Sequence, residues 1–249
     1  MARVGLFAIL LVGTVTGIVF AVAPSLDLRF AALFYDPATR SFLSAERPFI
    51  SEFRQFQTYL VAAIGAVAVL SLVVKLVRPN RPMLIPARTV VFLLVTLALG
   101  PGLLVNGLLK DHWARPRPGA VVQFGGTEQF MPWWDPRGTC DGNCSFVSGE
   151  VSSAFWMLAP AAVVPAPWQG VAIAGAVAFG LAVGLLRAAV GGHFLTDIIF
   201  AGVFTALIVW VMHGVIFRWP RTRMSARDPA PPFASPRTAV DARASADQP

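Results

Sequence analysis

The sequence predicts an all-α polytopic membrane protein, a bundle of six transmembrane helices. Three observations carry that prediction. Of 249 residues, 56% are hydrophobic and only 13% are charged, where a soluble domain usually carries about 25% charged residues. The mean hydropathy is +0.66. The apolar residues also come in repeated runs near the ~20 residues a helix needs to cross a bilayer.

Six such runs occur, at residues 4–23, 59–77, 89–109, 151–166, 170–190 and 194–217. The first follows Arg3 and ends in Ala21-Val22-Ala23, which imitates a secretory leader. It is read as a retained helix, because it is long enough to span and Pro24 disfavours cleavage there. Segment 26–35 carries Asp27 and Arg29 among apolar residues, and reads as an interfacial segment or an ordinary loop. In the third run, Gly100-Pro101-Gly102 is expected to loosen or kink the helix. The fourth run is the shortest. Residues 1–217 thus form one membrane domain. The tail, 218–249, is rich in Ala, Pro, Arg, Ser and Asp without apolar periodicity, and is expected to be disordered and cytoplasmic.

The net charge of +7 is no nucleic-acid footprint, since the cations sit at the ends of apolar runs and in the tail. Arg78, Arg81 and Arg88 share a loop that holds no acid, and Arg218, Arg221, Arg223 and Arg227 open the tail. The positive-inside rule then puts that loop and both termini in the cytoplasm. Three polar segments gather at the opposite, periplasmic face of a bacterial inner membrane. Cys140 and Cys144 share one loop on that face. Two cysteines with no nearby His pair make a poor metal site, but an extracytoplasmic loop permits a small disulfide.

The three segments are Lys-Asp-His-Trp-Ala-Arg-Pro-Arg-Pro at 110–118, Cys-Ser-Phe-Val-Ser-Gly-Glu at 144–150, and Leu-Arg-Ala-Ala-Val-Gly-Gly-His-Phe-Leu-Thr-Asp at 186–197. Lys110, Arg117 and Arg187 are fixed cations that suit an oxyanion. Ser148 and Gly149 form a small-residue turn whose hydroxyl and N–H groups can point at it. His193 and Asp197, four apart, share one helix face. Asp197 can there accept from one imidazole nitrogen and leave the other to attack. A charged Asp one turn inside an apolar helix needs such a reason. Lys110 alone would read as a snorkelling residue. Arg115 and His112 read as loop or interface residues, and Trp133, Trp134 and Phe130 as interface anchors. No His, Asp and Glu cluster has metal-ligand spacing, so no metal or cofactor is expected.

The order and spacing of these segments resemble the type 2 phosphatidic acid phosphatase superfamily, which includes bacterial acid phosphatases and vanadium haloperoxidases. That pattern is Lys-x6-Arg-Pro, then Pro-Ser-Gly-His, then Ser-Arg-x5-His-x3-Asp. The first element is matched in full by Lys110 and Arg117. The second changes at both ends, to Val147 and Glu150, and the third lacks only its Ser. The run Gly-Pro-Gly-Leu-Leu-Val-Asn-Gly-Leu-Leu-Lys ahead of the first element strengthens the likeness.

The resemblance implies a metal-independent lipid phosphate phosphatase. His193 would form a phosphohistidine, with Lys110, Arg117, Ser148, Gly149 and Arg187 holding the phosphate. Glu150 would stand where the family's His protonates the leaving oxygen. A free Glu has a pKa of about 4.3, and nearby cations push it lower. Glu150 can therefore act as an acid near neutral pH only if burial outweighs that pull. Phosphatidate, phosphatidylglycerophosphate, undecaprenyl diphosphate and lipid A phosphates fit as substrates. The Phe-Gly-Gly turn at 124–126 and the core at 140–149 are similar to lipid A 4′-phosphatase-like members. Two rival readings are a phosphotransferase acting through His193 and a non-hydrolytic lipid-binding homologue. The lipid bilayer and a lipid phosphate are the expected partners, nucleic acid is not, and no oligomeric state follows from the sequence.

Overall fold

The computed structural model describes residues 3–44 and 47–219, so nearly all of the expected disordered tail lies outside the described residues. In chain order the helices are α1 (Arg3–Val22), α2 (Ser25–Ala32), α3 (Pro48–Val77) and α4 (Ala87–Leu97). From α4 the chain runs on as a π-helix (Ala98–Leu109) and a single turn, α5 (Lys110–His112). After a long loop come α6 (Gly149–Phe155), α7 (Leu158–Ala162), α8 (Ala166–Ala189) and α9 (Leu195–His213). No sheet forms among the described residues.

Among the described residues, five stretches are long and apolar enough to cross a membrane: Arg3–Val22, Pro48–Val77, Ala87–Leu109, Ala166–Ala189 and Leu195–Arg218. All but the last, Leu195–Arg218, expose large apolar side chains. On α1 they include Phe7, Leu11, Val15, Ile18 and Val22, three or four residues apart.

The run at 151–166 is not a sixth continuous helix. It breaks into α6 and α7, of 7 and 5 residues. Those helical residues rise about 18 Å together, short of the ~30 Å hydrocarbon core. Pro160 has no N–H for the Trp156 carbonyl, so an α-ladder cannot run through. Tighter bonds fill the gap, from Met157 N to the Ala154 carbonyl and from Ala159 N to the Trp156 carbonyl. This broken element is the centre of the bundle. Val151, Ala154, Trp156 and Ala159 are fully buried, packed with Phe92, Val105 and Val209. The few polar groups there pair with each other. Trp156 Nε1 donates to Thr96 Oγ1 at 3.0 Å, and the Ser152 and Thr205 hydroxyls meet at 2.8 Å.

Pro101 explains the π-helix in the same way. It removes one N–H in mid-span, and the helix widens around it. The Asn106 side chain donates to the Pro101 carbonyl at 2.6 Å. Segment 26–35 is not a plain loop. Its first part is α2, folded inward against the start of α9, with Asp27 only 1% exposed.

Trp156 fills the middle of this core, so Trp156→Ala should lower unfolding stability by about 3–5 kcal/mol. Equilibrium unfolding in mixed detergent micelles measures it. A loss below about 1 kcal/mol would mean that α6 and α7 are not the core of the bundle.

Candidate active site

The three motifs meet at one end of the bundle. The C-terminal ends of the π-helix and α8 arrive there, and α6 and α9 begin there. Arg187, in the last turn of α8, lies 3.6 Å from Glu150 in the first turn of α6.

His193 sits between α8 and α9 and is only 3% exposed. Its Nδ1 lies 2.8 Å from the Ser145 carbonyl oxygen. A carbonyl only accepts, so Nδ1 carries the proton and Nε2 keeps its lone pair. Asp197 is not the direct partner, because its Oδ2 stands 3.9 Å from Nδ1, beyond hydrogen-bond reach. It works one step back. Oδ2 accepts from the Ser145 hydroxyl at 2.5 Å and from the Phe194 N–H at 2.8 Å. Asp197 thus holds the residue that holds His193. The expected helix-face pair becomes a relay through Ser145.

Behind Asp197 lies a fully buried guanidinium. Arg115 Nη1 donates to Asp197 Oδ1 at 2.5 Å and to Thr196 Oγ1 at 2.8 Å. Its Nη2 donates to Asp27 Oδ2 at 2.7 Å, and its Nε to the Met131 carbonyl at 2.9 Å. Asp27 also accepts from the Thr196 N–H and hydroxyl, at 3.0 and 2.6 Å. Phe194 and Phe130 cover the guanidinium faces, 4.5 and 5.7 Å from their centroids. Arg115 thus lies in a loop, as expected, but is wholly buried and not at an interface. Phe130 and Trp133 pack inward too, Trp133 on Phe200 at 4.5 Å. Trp134 remains exposed, as an interface residue is.

The three motif cations surround His193 differently. Lys110 Nζ donates to Asn143 Oδ1 at 2.9 Å, and Arg117 Nη2 to the Asn143 carbonyl at 2.7 Å. One residue thus aligns both. Asn143 lies inside the five-residue loop that a Cys140–Cys144 disulfide closes. Arg187 is 7% exposed, and its buried Nε has no hydrogen-bond partner among the described residues. An unpartnered buried donor in a cationic site is a place for an anion. Ser148 is fully buried and caps α6, its hydroxyl accepting weakly from Val151 N at 3.4 Å. At Gly149 a Cβ would sit 2.7 Å from Asn106 Oδ1 and 3.3 Å from Lys110 Nζ, so only glycine admits them.

Glu150 is engaged by Arg54 of α3 through both oxygens, at 2.7 and 2.9 Å. Burial alone would raise its carboxyl pKa. The Arg54 hydrogen bonds and the charges of Arg187, Arg54 and Lys110 outweigh burial and hold it below its ordinary value. Burial therefore does not win, which was the condition for Glu150 to carry a proton near neutral pH. His193 shifts down as well, through burial first and then the charges of Arg187 and Arg117. It is neutral at neutral pH. A neutral, oriented imidazole among three cations is suited to attack an oxyanion centre such as phosphorus.

A model of the PAP2 superfamily matches residues 89–221. The chain belongs to the PAP2 superfamily. It is 34% identical to the lipid A 4′-phosphatase of Francisella tularensis subsp. novicida (strain U112) over 219 residues, which is 88% of this chain and 98% of that protein. It is 39% identical to the lipid A 4′-phosphatase of Rhizobium leguminosarum over 115 residues, 46% of this chain and 49% of that protein. No solved structure matches.

Within this PAP2 site, Asp27 and Arg54 come from outside residues 89–221. Both are charged residues next to apolar segments, and that was the available signal. Ser145 and Asn143 left none, because each acts in part through a backbone carbonyl, which no residue type announces. Removing Asp27 leaves Arg115 half-paired in a dry core. Asp27→Ala should cost about 3–5 kcal/mol of unfolding stability, against less than about 0.5 kcal/mol for Asp36→Ala at the exposed turn. Equal losses at the two positions would overturn the buried network.

Proposed function

We propose that this chain is a bacterial membrane lipid phosphatase that removes the 4′-phosphate of lipid A through a phosphohistidine on His193, on the periplasmic side. The observation that carries the chemistry is the buried imidazole with Nδ1 bound to the Ser145 carbonyl and Nε2 left to attack. Its setting among Lys110, Arg117 and Arg187 supports the same reading. The substrate follows from similarity along nearly the whole length of a lipid A 4′-phosphatase.

The lipid phosphate ester binds with its oxygens toward Lys110, Arg117, Arg187, Ser148 and the Gly149 N–H. His193 Nε2 attacks phosphorus as the bond to the sugar oxygen breaks, and that oxygen takes a proton from water to leave as the hydroxyl. The cations neutralise charge that spreads over the phosphoryl oxygens in the transition state. Water then cleaves the phosphorus–nitrogen bond and releases phosphate. The lipid body has a place to lie. A cavity of about 540 Å³ begins at Asn106, Lys110, Gly149 and Glu150 and runs down between α3 and α4 to Val69, Leu94 and Leu97. Its polar head and apolar floor match a lipid headgroup and its chains.

The periplasmic assignment has two supports. Arginines concentrate in the 78–88 loop, at the end of α3 away from the site, and in the sequence that follows the last span. A disulfide closes a loop of the site itself, and disulfides persist in oxidising compartments.

Phosphate release by the detergent-purified protein in EDTA, from lipid A, phosphatidate, phosphatidylglycerophosphate and undecaprenyl diphosphate, tests the reading. Release is expected from lipid A, with a loss of about 10³-fold or more in His193→Ala. Quenched turnover with labelled lipid A should leave acid-labile label on the protein, absent from that variant. Label that accumulates and passes to an added acceptor lipid would favour the phosphotransferase reading. The pH profile is a separate check. Protonating His193 removes its lone pair, and its pKa lies below the ordinary 6.5. kcat should therefore hold as pH falls through 6.5 and drop only at lower pH. Because Glu150 already lacks its proton at neutral pH, Glu150→Gln should leave the alkaline side of the profile unshifted.

A further inference from the structure

The Arg54–Glu150 pair joins two elements 96 residues apart in the chain. α3 sits at the edge of the bundle, with Phe49, Phe56 and Tyr59 largely exposed around Arg54. The pair is only part-buried, the side chains 38% and 31% exposed. An ion pair in that setting contributes little to stability. Its geometry is nevertheless the specific one. The carboxylate takes Nε and Nη2 together, and that fork fixes the plane and direction of a guanidinium. The Nη1 edge stays available for another acceptor.

Arg54 reaches the cavity described above through Glu150, the carboxylate it holds. Glu150 lines the cavity itself, and so do Gln57 and Thr58, one turn further along α3. Arg187, a cation of the phosphate pocket, lies 3.6 Å from Glu150 Oε1, and Arg54 holds both carboxylate oxygens from α3. Arg54 is therefore the cation on the α3 side of the carboxylate, and α3 is the helix that walls the cavity. Three cations already serve the phosphoryl oxygens. A fourth, held one residue further out, suits the oxygens of the leaving headgroup.

We propose that Arg54 is a substrate-binding residue for the acylated sugar headgroup next to the scissile phosphate, its ligands being that headgroup's hydroxyl and acyl carbonyl oxygens, and that Glu150 is its positioning residue. This rests on the lipid A reading above. It gives the residue in the place of the motif histidine a task that needs its negative charge, not a proton.

The test compares lipid A in micelles with p-nitrophenyl phosphate, a phosphate ester with neither sugar nor chains. Arg54→Ala is expected to raise KM for lipid A about tenfold or more, with a smaller change in kcat. The effect on p-nitrophenyl phosphate should be several-fold smaller. Arg54→Lys keeps the charge without the fork and should fall between. The deciding variant is Arg54→Ala with Glu150→Gln. If Arg54 only neutralises Glu150, the double variant regains the wild-type KM, and the proposal is overturned. If Arg54 binds the headgroup, the defect persists. Equal losses on both substrates would also overturn it, as would an unchanged KM in Arg54→Lys should Arg54→Ala fail to fold. Failure of the lipid A reading itself looks different. The wild type then releases no phosphate from lipid A, and the Arg54 proposal falls with it.

Discussion

Arg115 cannot lose its charge, and it has no exposure to water. The local fold follows from that. A buried guanidinium demands acceptors for its N–H groups, and those here come from three distant parts of the chain: Asp27 on α2, Met131 in the long loop, and Asp197 with Thr196 on α9. Two carboxylates around one cation leave a negative remainder, which the Ser145 hydroxyl and the Phe194 and Thr196 N–H groups disperse. Every one of these donors is also a positional constraint. Ser145, pinned through its hydroxyl, presents its carbonyl to His193. His193 is thus aligned from behind by charges that stay buried. Replacing such a network by apolar residues is often neutral for stability. Its value here is that it fixes the imidazole.

The front of the site has the opposite charge balance. Among the described residues, Arg54, Arg187 and Lys110 act on the Glu150 carboxylate, and Arg117 lies near Arg187 in the same small region. Such a group of cations repels itself until an anion arrives, so the binding energy of a phosphate is concentrated there. Holding it ready requires acceptors that attract cations without neutralising them. Asn143 does this through an amide oxygen and a backbone carbonyl. The disulfide that closes its loop keeps both oxygens in place in a segment without regular structure. Rear and front are therefore built on one rule. Neutral dipoles hold what must stay reactive, and full charges hold what must stay still.

Much of this was legible in the sequence, and the limits have physical causes. Apolar runs and the sparse charge set the all-α membrane class, because a bilayer leaves few other ways to satisfy a backbone. The Gly-Pro-Gly disruption was visible because a missing N–H is a local fact. The gathering of Lys110, Arg117, Arg187 and His193 at one end of the bundle was legible too, because the three polar segments recur at set spacings. The break at Trp156 was less visible. Pro160 announces it, but hydropathy averages over a proline, and a short buried helix pair has the same composition as a span.

The residues that escaped share another property: their partners are chosen by the fold and not by spacing. Arg115 stands between Lys110 and Arg117, two residues from the second, and neighbouring cations look interchangeable in a motif. Only burial separates them, turning one toward Asp27 and Asp197 and leaving the others at the front. Asp197 was found for the right reason and given the wrong contact, because four residues of helix predict a shared face, not a distance. A side chain can share that face and still stand 3.9 Å away, while a carbonyl from 48 residues earlier takes the bond. Glu150 is the sharpest case. Against a motif that has a proton donor at that position, a glutamate reads as a poorer acid. Beside Arg54, which the motif does not contain, it reads as an anion with a partner. A substitution inside a motif is thus understood only with the residue outside the motif that changed its meaning.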